Sequence, residues 1–246
     1  AVLADQKQDS ATYANAIRRG HRVSIGRVYN HAIRGFVFRG NAQAAQAIAR
    51  RPDIAYVVQD TLCYAIVQSV PTGISRAKVG DAISINGQSD DLVSDDLVAA
   101  GVIVAVLDTG LDIDHPDLNV VGGIRFYNQG PFNVLSDSNY DDNHWHGTHV
   151  GGTIGALDND FGVVGVAPGV PLYGVKVLNQ NGSGYTSGII AGIDHVVGLN
   201  SDGDEDNDIQ VANMSLGGTY NQALNDAVSG AAQQGIVFVD RLLPLT

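Results

Sequence analysis

Val102-Ile103-Val104-Ala105-Val106-Leu107-Asp108-Thr109-Gly110 is a short, nearly continuous apolar run that ends on a carboxylate and a turn. A strand with one wet face alternates apolar and polar residues. A run that is apolar at every step belongs to a strand covered on both faces, as in a parallel sheet with helices above and below. Further along, helix patterns over 146–156, 186–198 and 220–234 are interleaved with strand patterns over 120–126, 171–178, 209–215 and 236–239. That interleaving predicts an α/β fold with a parallel sheet and right-handed crossovers. Functional sites of such sheets lie beyond the carboxyl ends of the strands. Asp108 falls at one such end and Met214-Ser215 at another.

Upstream the pattern differs. Residues 9–19 read as a short helix closed by Gly20, and 23–29 and 35–38 as strands. A second, Ala-rich helix runs over 41–51, with Asn41 as N-cap and Pro52 behind it, followed by a strand over 54–59. This order predicts a small α+β module with its helices on one face. Residues 60–100 are punctuated by Pro71, Gly73, Gly80 and Gly87 and carry the acidic group Asp90, Asp91, Asp95 and Asp96, which reads as a linker wrapped on the surface.

Charge divides the chain at the same place. Residues 1–66 hold nine Lys/Arg against four Asp/Glu, a balance of +5, whereas residues 67–246 carry −17 of the overall −12. Opposite signs on adjoining segments attract. The acidic balance argues against nucleic acid as a partner, and no apolar run reaches the roughly 20 residues that span a bilayer. Cys63 is the single cysteine, so no internal disulfide forms, and the single methionine is Met214, which marks the sequence as a processed product or a fragment.

The chemistry concentrates in Asn143-His144-Trp145-His146-Gly147-Thr148-His149-Val150-Gly151-Gly152-Thr153. His146 opens a helix of small residues that can pack closely while its imidazole can reach outward. As a general base it needs a nucleophile to activate and a carboxylate to fix its tautomer, and Asp108 supplies the carboxylate. The competing reading is a metal pair, His146 with His149. A His-Glu-x-x-His zinc site needs a glutamate between the histidines, and the chain's only glutamate is Glu205. The acidic run 202–208 reads as a solvated insertion.

Val104-Ala105-Val106-Leu107-Asp108-Thr109-Gly110-Leu111-Asp112, His115-Pro116-Asp117-Leu118 and His146-Gly147-Thr148-His149-Val150-Gly151-Gly152-Thr153 resemble the aspartate and histidine blocks of the subtilisin-like serine proteases. The likeness continues through Gly165-Val166-Ala167-Pro168, Lys176-Val177-Leu178, Gly182-Ser183-Gly184 and Asn213-Met214-Ser215-Leu216-Gly217-Gly218, so it covers about residues 68–239. It implies a secreted, monomeric serine endopeptidase acting on polypeptides, with Asp108 orienting His146 and His149 packing structurally. Gly182, Ser183, Gly184 and Ser215, Leu216, Gly217 would flank the substrate backbone. Trp145 departs from the family, which has a small residue there. It either crowds the site or covers an edge.

The same resemblance implies a structural Ca²⁺. Asn159 and Gln68 would give side-chain oxygens, Leu157, Phe161 and Val163 carbonyls, and Asp117 a carboxylate, an all-oxygen set that suits a hard cation. Val28-Tyr29-Asn30-His31-Ala32-Ile33-Arg34-Gly35-Phe36 and Pro52-Asp53-Ile54-Ala55-Tyr56-Val57-Val58-Gln59-Asp60 resemble the family's inhibitory propeptide, its first strand missing or reduced to residues 1–4. The expected domains are therefore 1–66, the propeptide and intramolecular inhibitor, and 67–246, the catalytic domain, with processing near Ile66–Val67.

Two family elements do not occur in the sequence: the Gly-Thr-Ser-Met-Ala-like serine block, and the oxyanion asparagine expected after Ile236-Val237-Phe238-Val239, where Asp240-Arg241-Leu242-Leu243-Pro244-Leu245-Thr246 stands instead. In this very family, losing the nucleophile alone costs about 10⁶ in kcat, and losing an oxyanion donor about 10²–10³. The expectation is a truncated catalytic domain, inactive as written. The alternative is a pseudoenzyme that binds peptides or inhibits without catalysis.

Overall fold

The computed structural model describes residues 1–5, 7, 9–65, 101–129 and 133–240. The first module is an antiparallel sheet of β1 (Val2–Leu3), β2 (Ser24–Tyr29), β3 (Gly35–Arg39) and β4 (Ile54–Tyr56), in the order β2-β3-β1-β4. The expected first strand is present in reduced form, two residues long, and sits inside the sheet rather than at its edge. Helices α1 (Ser10–Gly20) and α2 (Ala42–Ala49) start on side-chain caps: Asp9 accepts from Thr12 N at 2.9 Å and Asn41 from Ala44 N at 2.8 Å. Their apolar stripes, Ala14 and Ile17 on one and Ile48 on the other, bury against Leu3, Phe36 and Ile54.

The large sheet runs β13-β11-β6-β9-β7-β8, built from β6 (Val104–Asp108), β7 (Val120–Asn128), β8 (Val134–Asp137), β9 (Leu172–Lys176), β11 (Val211–Met214) and β13 (Val237–Asp240). β6 lies between β11 and β9, and all five of its residues are buried. Five strands are parallel, as expected. β8 is not, and corrects the purely parallel expectation. It returns against β7 as an antiparallel edge, because so short a connection cannot make a parallel crossover.

Helices cover both faces. Val104 and Val106 point to one side, where Leu111, Val170 and Leu172 pack with Val150 and Ile154 of α3 (His146–Gly155). Ala105 and Leu107 point to the other, toward α4 (Thr186–Leu199) and α5 (Gln222–Gln233). α4 is apolar nearly all round because it is enclosed by the sheet, by α5 and by the N-terminal module.

The N-terminal module docks on α4 and α5 by pairing its own polar groups with theirs. Asp60 caps α4, taking Ser187 N at 2.8 Å and Ser187 Oγ at 2.5 Å. In the opposite sense, the Asp194 carboxylate of α4 accepts from the backbone N–H groups of His31 at 2.6 Å, Ala32 at 3.0 Å and Asn30 at 3.4 Å. The Tyr29 hydroxyl donates to Ser187 O at 3.0 Å, and the Tyr56 hydroxyl bonds the Asp226 carboxylate. Burial pushes the Tyr29 hydroxyl well above the usual phenol range. Val2, Tyr29, Ala32, Ile33 and Cys63 join the main core across this interface.

Candidate active site

Asp108 closes β6 and is fully buried, and His146, 3% exposed, is the first residue of α3. His146 Nδ1 lies 2.8 Å from Asp108 Oδ1 and 3.0 Å from Oδ2. Thr109 N donates to Asp108 Oδ1 at 2.6 Å, and the Asp108 carbonyl accepts from Val177 N and Leu178 N at 2.9 and 3.0 Å. The helix approaches so closely because residue 147 is glycine: a Cβ there would stand 2.1 Å from the Gly110 carbonyl oxygen. With its Nδ1 bonded to a carboxylate, the His146 imidazole is held in one orientation.

Trp145 precedes this pair at φ 89°, the only non-glycine residue at positive φ among those described. It is 55% exposed. Its indole stacks on His144 at 5.3 Å and 17°, and stands edge-on to His146 at 5.7 Å and to His149 at 6.4 Å. Trp145 thus lines one cavity together with His146 and Ser215.

The two glycine-containing segments come together through a strand that belongs to neither. β5 (Leu62–Ala65) lies between β10 (Ser183–Tyr185) and β12 (Leu216–Gly218), antiparallel to both. Ser183 pairs with Tyr64 and Gly184 with Cys63, while Leu216 pairs with Ala65, Gly217 with Tyr64 and Gly218 with Cys63. Cys63 is buried, its Sγ 3.6 Å from Thr186 Oγ1, whereas Leu62 and Tyr64 are exposed. Residues 62–65, read from sequence as the start of a linker, are thus a strand bound as an extended peptide. Gly182 forms the turn before β10 at φ 66°, and Ser215, just before β12, accepts from Asn213 Nδ2 at 3.0 Å.

Loop 157–163 folds around Asp117, which is 2% exposed. Leu157 N donates to the Asp117 carbonyl, and Asn159 Nδ2 and Val163 N donate to its two carboxylate oxygens, each at 3.1 Å. Phe161 N donates to Asn159 Oδ1 at 2.7 Å. Gly162, at φ 68°, lets the loop pack directly on the carboxylate: a Cβ there would lie 2.1 Å from Asp117 Oδ2. Gln68 and the expected processing point lie outside the described residues.

Sequence reasoning overlooked Asp142. It ends the acidic stretch Asp137-Ser138-Asn139-Tyr140-Asp141-Asp142, and its carboxylate is a hub of hydrogen bonds beside the histidine. Thr148, six residues on and able to bond back, was the available signal. Lys176, noted only for its place in a motif, is buried with its ammonium on the Thr109 carbonyl and on Asn143 Oδ1.

The model of the Subtilase family matches residues 99–240, and that of Peptidase inhibitor I9 matches residues 3–65. Subtilisin E of Bacillus subtilis (strain 168) is 43% identical over 197 residues, 79% of this chain and 45% of the relative. A subtilisin of Bacillus pumilus is 46% identical over 172 residues, 69% of this chain and 54% of the relative. M-protease of Shouchella clausii (strain KSM-K16) is 40% identical over 194 residues, 78% of this chain and 44% of the relative. The chain spans about half the length of the curated relatives it matches.

Proposed function

The chain belongs to the subtilase family, and from that premise we propose that it is part of the zymogen of a secreted serine endopeptidase, with residues 1–66 the inhibitory propeptide and 67–246 belonging to the catalytic domain. The observation that carries this reading is β5. An extended segment lies antiparallel between β10 and β12, and Ala65 pairs with Leu216, the residue after Ser215. Main-chain pairing on both sides recognises a polypeptide whatever its side chains. The propeptide's tail occupies the cleft as a substrate would, and so blocks it.

In this mechanism His146 takes the proton of an attacking serine hydroxyl on Nε2 and returns it to the leaving amine. Asp108 accepts the Nδ1–H, which fixes the tautomer and stabilises the imidazolium. Ser183, Gly184, Ser215, Leu216 and Gly217 line the substrate backbone, with Gly182 shaping the turn before them. No Gly-Thr-Ser-Met-Ala block occurs in residues 1–246. On this reading those residues alone form no acyl-enzyme, and a serine-directed fluorophosphonate leaves the purified chain unlabelled. Stoichiometric labelling would overturn the assignment. In the product of the full gene, casein hydrolysis is expected to fall by about 10⁶ in kcat on His146→Ala, and an unaffected rate would sink the peptidase reading. If the full gene product itself carries no serine block and binds peptides without cleaving them, the pseudoenzyme reading takes its place.

For the ion, the fit lies in the oxygen donors around loop 157–163. A buried carboxylate at Asp117 and Asp158, buried with both carboxylate oxygens unpartnered among the described residues, make the region electron-rich. Asp117, the Asn159 amide oxygen, the carbonyls of Leu157, Phe161 and Val163, and Gln68 would hold Ca²⁺, which would tie the strand after the propeptide to the catalytic core.

A further inference from the structure

Asp142 lies outside the residues that touch substrate, yet its carboxylate collects more hydrogen bonds than any other side chain near His146. Oδ1 accepts from Thr109 Oγ1 at 2.9 Å, His144 N at 2.9 Å and Trp145 N at 3.1 Å. Oδ2 accepts from Thr148 N at 3.0 Å and Thr148 Oγ1 at 2.6 Å. Thr109 is held from its other sides too. Its hydroxyl accepts from Gly147 N at 2.8 Å, and its carbonyl accepts from Lys176 Nζ, which also donates to Asn143 Oδ1 at 2.9 Å.

These bonds converge on the two ends of one contact. Thr109 N fixes Asp108 Oδ1, which receives the imidazole, and Thr109 Oγ1 fixes the amide of Gly147, next to His146. Asp142 anchors that same Thr109 hydroxyl and also the backbone of the two residues before His146. We propose that Asp142, acting through Thr109 with Lys176 bracing the opposite side, is the positioning residue that sets the Asp108–His146 hydrogen bond.

Charge supports the arrangement. Burial pushes the Asp142 carboxyl up, but the bonds from Thr148, His144 and Thr109 outweigh it and bring its pKa below the usual carboxylate range, so it stays an acceptor at both oxygens. Burial lowers the Lys176 ammonium, and Asp142, Asp141 and Asp108 pull against that. Every group aimed at Asp142 is a donor. Asparagine, its isostere, would therefore turn an N–H₂ toward N–H or O–H donors at one end or the other and break the assembly without changing its volume.

The proposal rests on the catalytic reading of Asp108 and His146, and its test does not need turnover. The chain is labelled with ¹⁵N in its histidine rings, and the His146 signals are identified by their loss in His146→Ala. Ring-nitrogen shifts at a pH where the imidazole is neutral then report which nitrogen carries the proton. The wild type is expected to hold the Nδ1–H form. In Asp142→Asn the ratio of Nε2–H to Nδ1–H form is expected to rise about tenfold, the loss of about one hydrogen bond's worth of bias. Thr109→Val and Lys176→Met shift it the same way, and Asp137→Asn, a surface acid, leaves it alone. A folded Asp142→Asn chain that melts earlier but keeps the wild-type ratio would reduce Asp142 to a structural cap and overturn the proposal. If that variant does not fold, Thr109→Val decides by the same criterion. A wild-type ring protonated on Nε2 would overturn the catalytic reading and the proposal with it, whereas an Nδ1–H wild type with an unmoved variant overturns the proposal alone.

Discussion

Trp145 holds a backbone conformation that costs a non-glycine residue on the order of 1–3 kcal/mol. What keeps it there is local: its N–H on Asp142 Oδ1 at 3.1 Å, its carbonyl accepting from His149 N at 3.0 Å, and its ring on His144. Glycine would adopt φ 89° without strain and lose the ring contacts, worth about 0.5–1.5 kcal/mol, so the two effects nearly cancel. A β-branched residue would lose the contacts and be more strained there than Trp, because branching at Cβ crowds the left-handed region further. Trp145→Gly is therefore expected to melt close to the wild type, and Trp145→Val to lose about 2 kcal/mol. Thermal unfolding of both variants checks this, and equal losses would show that the strain is not what matters at this position. At Asp108, substitution by Asn keeps the shape but favours the wrong imidazole tautomer. In the full gene product kcat should fall by about 10⁴ with KM little changed, and a comparable rise in KM would point to damage in the cleft instead.

At the scale of elements, α4 carries a titratable group that the proposed mechanism does not use. His195 stacks on Tyr173, whose hydroxyl lies 3.1 Å from its Nε2, and stands near Phe126, over which Arg27 of β2 is placed. Burial, then the charges of Arg27 and His31, lower its pKa to about 4. A histidine depressed in the folded state binds its proton more readily when unfolded. Its contribution is thus intact above the unfolded value of about 6.5 and is lost as pH falls from there toward about 4. Between pH 7 and 5 the loss from this residue is about 2 kcal/mol. Denaturant titrations at the two pH values should show it in the wild type and less of it in His195→Asn, and parallel curves would rule out the burial effect. Loop 157–163 gives a second element-level test, that of the proposed calcium site. In excess Ca²⁺, Asp117→Ala combined with Asn159→Ala should lose the ion's stabilisation, and removing the metal should then leave the melting temperature of the double variant unchanged. If calcium still raises it as in the wild type, these residues do not hold the ion.

The elements that could be read from sequence are those whose own residues carry the pattern. β6 is apolar at four of its five positions, and α4 is a long run of Ile, Val, Ala and Gly. β5, β10 and β12 could not be read that way. Each is three or four residues long, two are rich in glycine, and they exist only because Cys63 and Tyr64 meet segments more than a hundred residues further along. For the site, Asp108 and His146 announced themselves by type and motif. Asp142 did not, because an acid in an acidic loop looks solvated until the fold brings five donors to it.

For the whole molecule the decisive contact is between the N-terminal module and α4. Its polar part is asymmetric. Asp60 caps the start of α4 from one side, and Asp194 of α4 receives three backbone N–H groups from the other. Asp194 is buried, so removing its carboxylate leaves the amides of Asn30, His31 and Ala32 without that acceptor inside an interface that also encloses Tyr29, Ala32 and Ile33. One unsatisfied buried group costs about 1–3 kcal/mol, and the three share one acceptor, so the loss is about 2–3 kcal/mol rather than three separate penalties. The cost falls on docking, because α4 keeps its packing against Leu107 and Val175 of the sheet while β2 and β3 keep theirs against α1. Asp194→Ala should therefore open the module from the rest of the chain about 30- to 160-fold more often. Limited digestion by an added protease reads this directly. Cleavage between the module and the large sheet should speed up by that factor while fragments of the large sheet appear no faster. If both regions become labile together, Asp194 supports the fold as a whole, and the docking role assigned to it is wrong.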